Sequence, residues 1–348
     1  MNYISSNITA LKKSYLYKNQ SFPVLEWVIT EKCNYNCLHC VYAASHISSA
    51  KEWTLTEAER LLDEALQCQI RAVSITGGEP LLHKYFFEIV ESICRRNMIV
   101  QELHTNGQFI SQSTLNCLKE IECRPLINIS FDGVNCHDWL RNQEGSQKET
   151  LQTIQLCLEN GFQVRVLTNL YRHNIASILP TAQLLAEMGV TEMCIVRTTE
   201  SPRLMQTAKG ACLKTEEYFD CMLEFIRQYT KSRHTMAIDI NQIIFLLPKQ
   251  KKYQIVSSEH KNASSLSNTV NCEKFLLTAD GSVFPFCPIF DTEKKKNLLG
   301  NAKTEGLGPV LERRKNFSRT IPPDCCPSFE KGYYNRLEEL LNNWEKLN

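Results

Sequence analysis

The sequence lacks any long apolar run. No stretch of its 348 residues approaches the about 18 apolar residues that a membrane-spanning helix needs. The first 20 residues are polar and lack the apolar centre of a signal peptide. We therefore expect neither a membrane anchor nor secretion.

An excess of charge of either sign is also missing. Lys and Arg number 39 and Asp and Glu number 38, which leaves a net charge of +1. This balance gives no electrostatic reason to expect binding to nucleic acid or to an acidic membrane. The apolar fraction of 43% is ordinary for a globular protein, and the length suits one large domain with a smaller one.

Cysteine, by contrast, is abundant, with 16 residues. Disulfide-rich secreted scaffolds are much shorter than this chain, so we interpret the cysteines as metal ligands and free thiols in a reducing cytoplasm. Four of them lie in helix-like patterns, where a buried thiol acts as a small apolar side chain: Cys68, Cys94, Cys117 and Cys157.

Three cysteines with the spacing CxxxCxxC follow an apolar run at 25–29 that predicts a strand: Cys33, Cys37 and Cys40. Soft thiolates select iron–sulfur clusters or zinc. Three thiolates leave one iron of a four-iron cubane without a protein ligand and open to chemistry. The alternatives are three buried thiols or a zinc site that recruits His39 as a fourth ligand.

A second motif, Thr76-Gly77-Gly78-Glu79-Pro80, follows the apolar run 72–75. A pair of glycines at a strand end lets the backbone come close to a ligand. The Glu79 carboxylate offers an acceptor for a ligand ammonium group. Each motif alone is a weak signal, but the two together at this distance are a strong one.

With these two motifs the chain resembles the radical S-adenosylmethionine (SAM) enzymes. The resemblance implies that the amino and carboxylate groups of SAM chelate the open iron of a 4Fe–4S cluster. It also implies that one electron from the cluster cleaves SAM to a 5′-deoxyadenosyl radical. The cysteines are then catalytic, and Gly77, Gly78 and Glu79 bind the cofactor. The family usually has an aromatic residue beside the adenine where this chain has His39.

Apolar runs alternate with amphipathic stretches over six strand–helix units. The expected strands are 25–29, 72–75, 100–104, 126–130, 163–168 and 192–197, and the expected helices 56–69, 84–97, 113–122, 149–160 and 175–188. Thr56 to Glu59 is typical of a capping box. The alternation predicts an α/β fold with a parallel sheet, and six units are too few for a closed eight-fold barrel. The sequence therefore predicts a partial (β/α)6 barrel, which the resemblance also implies.

Polar residues at two further strand ends extend the resemblance to the SPASM and twitch subfamilies. Ser130 ends a strand and Arg141 follows it, and the resemblance implies that both contact SAM. Thr105 and Asn106 end the neighbouring strand and are expected to face the ribose or the methionine part. Since Asn-Gly is a common turn former, ordinary turn chemistry is the alternative for Asn106.

Four late cysteines surround a predicted hairpin with an Asp-Gly turn at 280–281: Cys272, Cys287, Cys325 and Cys326. The order of features resembles a twitch or reduced SPASM domain and implies one auxiliary 4Fe–4S cluster. The last two cysteines are adjacent, and neighbours in an extended chain point in opposite directions. Cys212 and Cys221 are therefore kept as substitutes for one of them.

These features divide the chain into four parts. An N-terminal extension covers 1–24, and the partial barrel covers 25–202. A connector at 203–268 holds a predicted helix at 215–229 and a polar stretch at 249–268, interpreted as a surface excursion. The cysteine-rich twitch or SPASM-like unit with a C-terminal helix covers 269–348.

We expect an oxidoreductase that removes a hydrogen atom from a ribosomally made peptide and so gives a cross-link, an oxidation or an epimerisation. Cys194 or Cys212 would return the hydrogen in an epimerisation. Since there is little room before Leu25, any leader peptide would need a separate binding protein or the enzyme's own surface. A flavodoxin or ferredoxin is expected as reductant. The alternatives are an enzyme of a small molecule, such as an aminocyclitol or a tetrapyrrole side chain, and a non-catalytic iron–sulfur or zinc scaffold.

Overall fold

The computed structural model describes residues 24–40, 50–241, 244–255, 274–285, 298–313 and 331–347. Twelve strands lie in these ranges: β1 Val24–Val28, β2 Ala72–Thr76, β3 Ile99–Thr105, β4 Leu126–Ser130, β5 Val164–Leu170, β6 Glu192–Arg197, β7 Ala237–Ile240, β8 Ile244–Leu247, β9 Lys252–Ile255, β10 Lys274–Leu277, β11 Ser282–Phe284 and β12 Gly300–Asn301.

The α-helices of the same ranges are α1 Leu55–Gln67, α2 Phe86–Arg95, α3 Gln112–Glu120, α4 His137–Arg141, α5 Ser146–Glu159, α6 Ile178–Met188, α7 Pro202–Thr207, α8 Thr215–Tyr229, α9 Ala302–Glu305, α10 Leu307–Glu312 and α11 Lys331–Leu347. Short 3-10 helices span Pro80–Leu82, Arg172–Ser177 and Pro248–Gln250. None of the helices in the described ranges is long and apolar enough to cross a membrane.

All twelve strands form one sheet, in the order β12-β11-β10-β1-β2-β3-β4-β5-β6-β7-β8-β9. Strands β1 to β7 run parallel, each paired with the next in the chain. This arrangement confirms the predicted α/β fold with a partial barrel. Strand β7 adds a seventh parallel strand that the sequence did not predict.

Alternation along each strand separates a helix-facing side from an inner side. On β4, Ile127 and Ile129 belong to the main apolar core, which also contains Ile154 of α5. Asn128 and Ser130 lie on the opposite, inner face. The main apolar core therefore sits between the sheet and its helices. The inner face is polar on β4, whereas Val28 of β1 and Leu276 of β10 belong to a separate apolar cluster.

The capping box of α1 lies two residues earlier than the sequence predicted. The Thr54 hydroxyl accepts a hydrogen bond from the Glu57 backbone N–H, and the Glu57 carboxylate accepts one from the Thr54 backbone N–H. The predicted box at 56–59 was wrong because the helix already begins at Leu55, so that Thr56 is inside its first turn.

Helix α6 begins three residues later than predicted. Residues Arg172–Ser177 form a 3-10 helix first, and α6 begins at Ile178. Pro180 explains the shift, since proline is tolerated in the first turn of an α-helix but breaks its interior. The predicted end is confirmed, because Gly189 caps α6 in the left-handed conformation, with φ of 91°.

The C-terminal hairpin of β10 and β11 is confirmed, with Gly281 at a positive φ of 89° in its turn. Strand β10 pairs in parallel with β1. The sheet is thus continuous between the predicted barrel and the predicted cysteine-rich unit, and the domain division remains a prediction. The polar stretch predicted at the surface from residue 249 is exposed at 249–252, but it includes strand β9, which pairs with β8 and was not predicted. Residues 256–268 lie outside the described ranges.

Candidate active site

The three motif cysteines lie together in the loop after β1. Cys33, Cys37 and Cys40 form one side-chain cluster with Tyr35. Cys33 and Cys37 are buried and Cys40 is half-buried. Burial raises the pKa of the Cys33 thiol to about 12, although the Tyr35 N–H donates to its Sγ at 3.4 Å. Binding a metal is the ordinary way in which such thiols lose their protons.

The second motif packs directly on the cysteine loop. The Gly78 N–H donates to the Thr30 carbonyl at 2.8 Å, and the Glu79 N–H donates to the Lys32 carbonyl at 2.7 Å. A Cβ atom on Gly77 would lie 2.7 Å from the Thr30 oxygen, and one on Gly78 would overlap the Lys32 carbonyl group. The glycines therefore allow a close approach between two loops of this chain, rather than only to a ligand as the sequence suggested.

Glu79 is fully buried beneath this contact. Its carboxylate accepts hydrogen bonds from the Thr105 hydroxyl at 2.9 Å and from the backbone N–H groups of Asn106 at 2.8 Å and Leu81 at 3.2 Å. Burial raises the pKa of Glu79 to about 7, against the lowering effect of these hydrogen bonds. A carboxylate has about four acceptor positions, so one remains beyond these three contacts.

The end of β3 joins both loops. The Asn106 side-chain oxygen accepts the Gln108 N–H at 2.9 Å, which is the turn chemistry weighed for this residue. Its amide nitrogen also donates to Asn34 of the cysteine loop at 2.8 Å. Thr105 accepts the Gly107 N–H at 3.0 Å and donates to Glu79. Asn106 thus forms hydrogen bonds both within its own turn and to the cysteine loop.

Arg141 reaches the cysteine loop from α4. Its Nε donates to Asp132 Oδ2 at 2.6 Å, and its Nη1 lies 3.9 Å from the sulfur of Cys37. Its Nη2 is buried and has no hydrogen-bond partner in the part of the chain that the structure describes. A buried guanidinium nitrogen without a partner is costly, so this one is suited to an anionic ligand group.

Asp132 is the site residue that sequence reasoning missed. It is fully buried, and its Oδ1 accepts the backbone and side-chain N–H groups of Asn169 at 3.0 and 3.1 Å. Although burial by itself raises its pKa, the neighbouring Arg141 above all lowers the pKa of Asp132 to about 2. The available signal was an acidic residue just after a strand end, but its partner could not be read from local sequence.

His39 and Ser130 lie beside this pair. The His39 Nε2 is 3.3 Å from the Asn169 amide nitrogen, and its Nδ1 is buried without a partner among the described residues. Burial and then the nearby Arg141 lower the pKa of His39 to about 4. Ser130 is the half-buried last residue of β4. The structure therefore brings the predicted residues of three strand ends and the cysteine loop to one edge of the sheet.

The outer side of the cysteine loop is held by backbone contacts. The Leu38 N–H donates to the Leu140 carbonyl at 2.9 Å, and the Ser201 hydroxyl donates to the Leu38 carbonyl at 2.5 Å. The Arg203 guanidinium donates to the Cys37 carbonyl at 3.3 Å. Helices α4 and α7 thereby fix the loop from the side opposite the second motif.

The inner face of the sheet carries a buried ionic network below these residues. Arg165 of β5 lies 2.7 Å from Glu192 of β6, 2.9 Å from Asp239 of β7 and 3.6 Å from Glu102 of β3. Lys274 of β10 lies 3.8 Å from Glu102. The His104 imidazole also lies 2.9 Å from Glu102. Arg165, Glu192 and Lys274 are the first or second residues of their strands, so the network lies near the amino ends of these strands, opposite the edge that carries the site.

The remaining cysteines with a predicted role lie in different parts of the structure. Cys194 is buried on the inner face, opposite Met193 and Ile195, and lies outside the main apolar core. Cys212 packs beside a small apolar cluster that includes Leu38. Cys221 packs against the main core. The four proposed auxiliary ligands lie outside the described residues: Cys272, Cys287, Cys325 and Cys326.

Among the described residues, no three His, Cys, Asp or Glu side chains are arranged to hold a single metal ion. This disfavours a mononuclear zinc site built from His39 and the motif cysteines. A cubane differs because each thiolate binds a different iron, so the sulfurs need not converge on one point. Three clustered thiols and the unpartnered Arg141 nitrogen therefore fit a cluster with an anionic ligand beside it.

Comparison with known proteins defines the class to which this fold and site belong. A profile of the radical SAM superfamily matches residues 27–185. The AdoMet-dependent heme synthase of Methanosarcina barkeri is 30% identical over 307 residues, which cover 86% of this chain and 85% of that protein. The subtilosin biosynthesis protein AlbA of Bacillus subtilis is 30% identical over 163 residues, or 46% of this chain and 36% of AlbA.

Solved structures share the fold at lower identity. The enzyme anSMEcpe with bound AdoMet superposes with a TM-score of 0.65 and 16% identity, covering 94% of this chain and 100% of that one. SuiB of Streptococcus suis with bound SAM gives a TM-score of 0.62 and 15% identity, covering 94% and 72%.

The chain belongs to the radical SAM superfamily. It is therefore an enzyme, and family membership implies a 4Fe–4S cluster and SAM as cofactors. This confirms the resemblance read from the two motifs and argues against a non-catalytic scaffold.

Proposed function

We propose that this enzyme modifies a residue of a ribosomally synthesised peptide, giving a cross-link, an oxidation or an epimerisation. The cluster and SAM, when bound, supply the 5′-deoxyadenosyl radical that removes a hydrogen atom. The protein has to bind these groups, exclude water and determine which substrate carbon is near.

The cofactor roles of individual residues are part of this proposal. Cys33, Cys37 and Cys40 hold the cluster, supported by their clustering in one loop. The Arg141 Nη2, which is buried without a partner among the described residues, takes the SAM carboxylate together with Ser130. The remaining acceptor position of Glu79 takes the SAM ammonium group.

The other predicted contacts are supported by position. Asn106 and Thr105 lie next to Glu79 at the end of β3. His39 lies beside Asn169 at the end of β5, where it can pack by the adenine. Gly77 and Gly78 bring the Glu79 loop against the cysteine loop, so that one bound cofactor can touch both.

The observation that carries the peptide assignment is the 30% identity to AlbA, a protein of bacteriocin biosynthesis. The mycofactocin maturase MftC of Mycobacterium ulcerans is 27% identical over 190 residues. On the same fold, SuiB binds its precursor peptide SuiA. The polar inner face also suits a peptide, whose backbone groups need hydrogen-bond partners when buried.

A tetrapyrrole is the second candidate substrate, and one observation favours it. A relative that is 30% identical and matches over most of both chains is a heme synthase. We rank the peptide first because AlbA serves bacteriocin biosynthesis and SuiB, on the same fold, binds its precursor peptide.

Electron transfer completes the proposal. One auxiliary 4Fe–4S cluster, held by Cys272, Cys287 and one or both of Cys325 and Cys326, accepts the electron from the substrate radical. A flavodoxin or ferredoxin supplies the first electron, and a separate protein presents the leader of the peptide. We place the reaction in the cytoplasm, where the twelve described cysteines, all free, would remain reduced.

The test is to incubate the reconstituted enzyme with a short peptide encoded beside its gene and to weigh the product. A loss of two hydrogens supports a cross-link or oxidation, and an unchanged mass with deuterium uptake from heavy water supports epimerisation. A parallel incubation contains an iron coproporphyrin in place of the peptide. Conversion of the porphyrin alone would overturn the peptide assignment.

A further inference from the structure

Arg141 contacts the cysteine loop at a sulfur atom, not only at the backbone. Its Nη1 lies 3.9 Å from Cys37 Sγ, and both side chains are buried. A nearby guanidinium, that of Arg203, instead donates to the Cys37 carbonyl oxygen. The two arginines thus approach the same residue, one at its sulfur and one at its backbone.

The position of the Arg141 guanidinium is fixed by Asp132. One Asp132 oxygen accepts the Arg141 Nε at 2.6 Å, and the other accepts two N–H groups of Asn169. The Asp132 backbone carbonyl accepts the Asn174 side chain at 2.7 Å, and its backbone N–H donates to His137 at 3.0 Å. Three other residues therefore hold Asp132, whose carboxylate aims Arg141 at the sulfur.

We propose that Arg141 raises the reduction potential of the cluster held by Cys33, Cys37 and Cys40, and that Asp132 is the positioning residue for this effect. The inference rests on the ligand assignment of the proposed function. It assigns the Arg141 Nη1 a role that is separate from the SAM contact proposed for Nη2.

The direction follows from charge. Reduction adds one electron to the cluster and makes its thiolate sulfurs more negative. An N–H group and a positive charge beside one sulfur stabilise the reduced form more than the oxidised form. Asp132 opposes this, but it reaches Cys37 only through Arg141, and the nearer charge has the larger effect.

The experiment is an anaerobic potentiometric titration of the reconstituted enzyme without SAM, with dithionite as the electron donor. The cluster is identified by the electron paramagnetic resonance signal that changes when SAM is added afterwards. In Arg141→Gln we expect a more negative midpoint potential. At the parent midpoint, the ratio of reduced to oxidised cluster should fall about tenfold, equivalent to about 59 mV for one electron.

Arg203→Gln is the matched control, because it removes the same charge from the carbonyl of the same cysteine. Its midpoint should stay closer to that of the parent. Equal shifts in the two variants, or none in Arg141→Gln, would overturn the proposal. If Arg141→Gln assembles no cluster, Arg141→Met replaces it, since it also removes the charge and the N–H donors, and a midpoint at or above the parent value would then overturn the proposal.

The presence of the cluster in the parent enzyme distinguishes a failure of this inference from a failure of the proposed function. A parent enzyme that binds no SAM-responsive cluster contradicts the ligand assignment itself. A parent that binds the cluster and variants that leave its potential unchanged contradict only the role of Arg141.

Discussion

Asp132 and Arg141 form a buried ion pair whose oxygen and nitrogen lie 2.6 Å apart. Asp132→Asn would leave a buried guanidinium without its carboxylate. Removing one member of such a pair costs about 3–5 kcal/mol. We expect a loss of this size in the free energy of unfolding of the apoprotein, measured by urea denaturation.

Glu217→Gln provides the comparison for this prediction. Glu217 pairs with Arg172 at 2.8 Å, but both side chains are exposed. Exposed pairs contribute little to stability, so this variant should unfold like the parent. Equal effects of Asp132→Asn and Glu217→Gln would contradict a special role for the buried pair.

At the level of single residues, motif spacing indicated the cysteine loop and Glu79, and the family resemblance implied roles for Ser130 and Arg141, but neither indicated Asp132. Asp132 and Arg141 are nine residues apart, and their contact depends on how α4 folds back onto the end of β4. Asn169 reaches Asp132 from another strand. Such contacts arise from tertiary packing, so no local sequence pattern predicts them.

At the scale of structural elements, the loop that carries Gly78 and Glu79 packs closely against the cysteine loop. Gly78→Ala would place a methyl group onto the Lys32 carbonyl. The loops would have to separate, and overpacking of this kind typically costs about 1–3 kcal/mol. We expect lower stability of the apoprotein and less iron bound after reconstitution, measured by urea denaturation and iron analysis.

Gly308→Ala is the matched control for the loop contact. Gly308 lies in α10, and a Cβ atom there would meet only the Cys68 sulfur at 3.7 Å, an ordinary contact. Alanine also favours a helix over glycine. Stability and iron content should be kept or improved, and a similar loss in both variants would contradict the packing argument.

Elements with strong local signals were predicted well. Strands β4 and β6 match the predicted ranges residue for residue, as does α8. Strands β7, β8 and β9 were missed because each has only four residues, although β8 and β9 pair antiparallel across the turn at Pro248–Gln250. Short strands carry too few residues for their alternation to be recognised.

The iron content of the whole molecule tests the auxiliary cluster. Two cubanes correspond to about eight iron atoms per chain. Replacing Cys272 and Cys287 together should lower this content to about four while SAM cleavage under dithionite is retained. A parent protein that binds about four irons would contradict the second cluster.

Cleavage of SAM tests the central proposal for the molecule most directly. The enzyme is reconstituted with iron and sulfide, and release of 5′-deoxyadenosine under dithionite is measured. Replacing Cys33, Cys37 and Cys40 with Ala should abolish release. Replacing the half-buried helix cysteines Cys68, Cys94 and Cys117 should leave it unchanged. Undiminished release from the first variant would contradict the assignment of these three cysteines to the cluster.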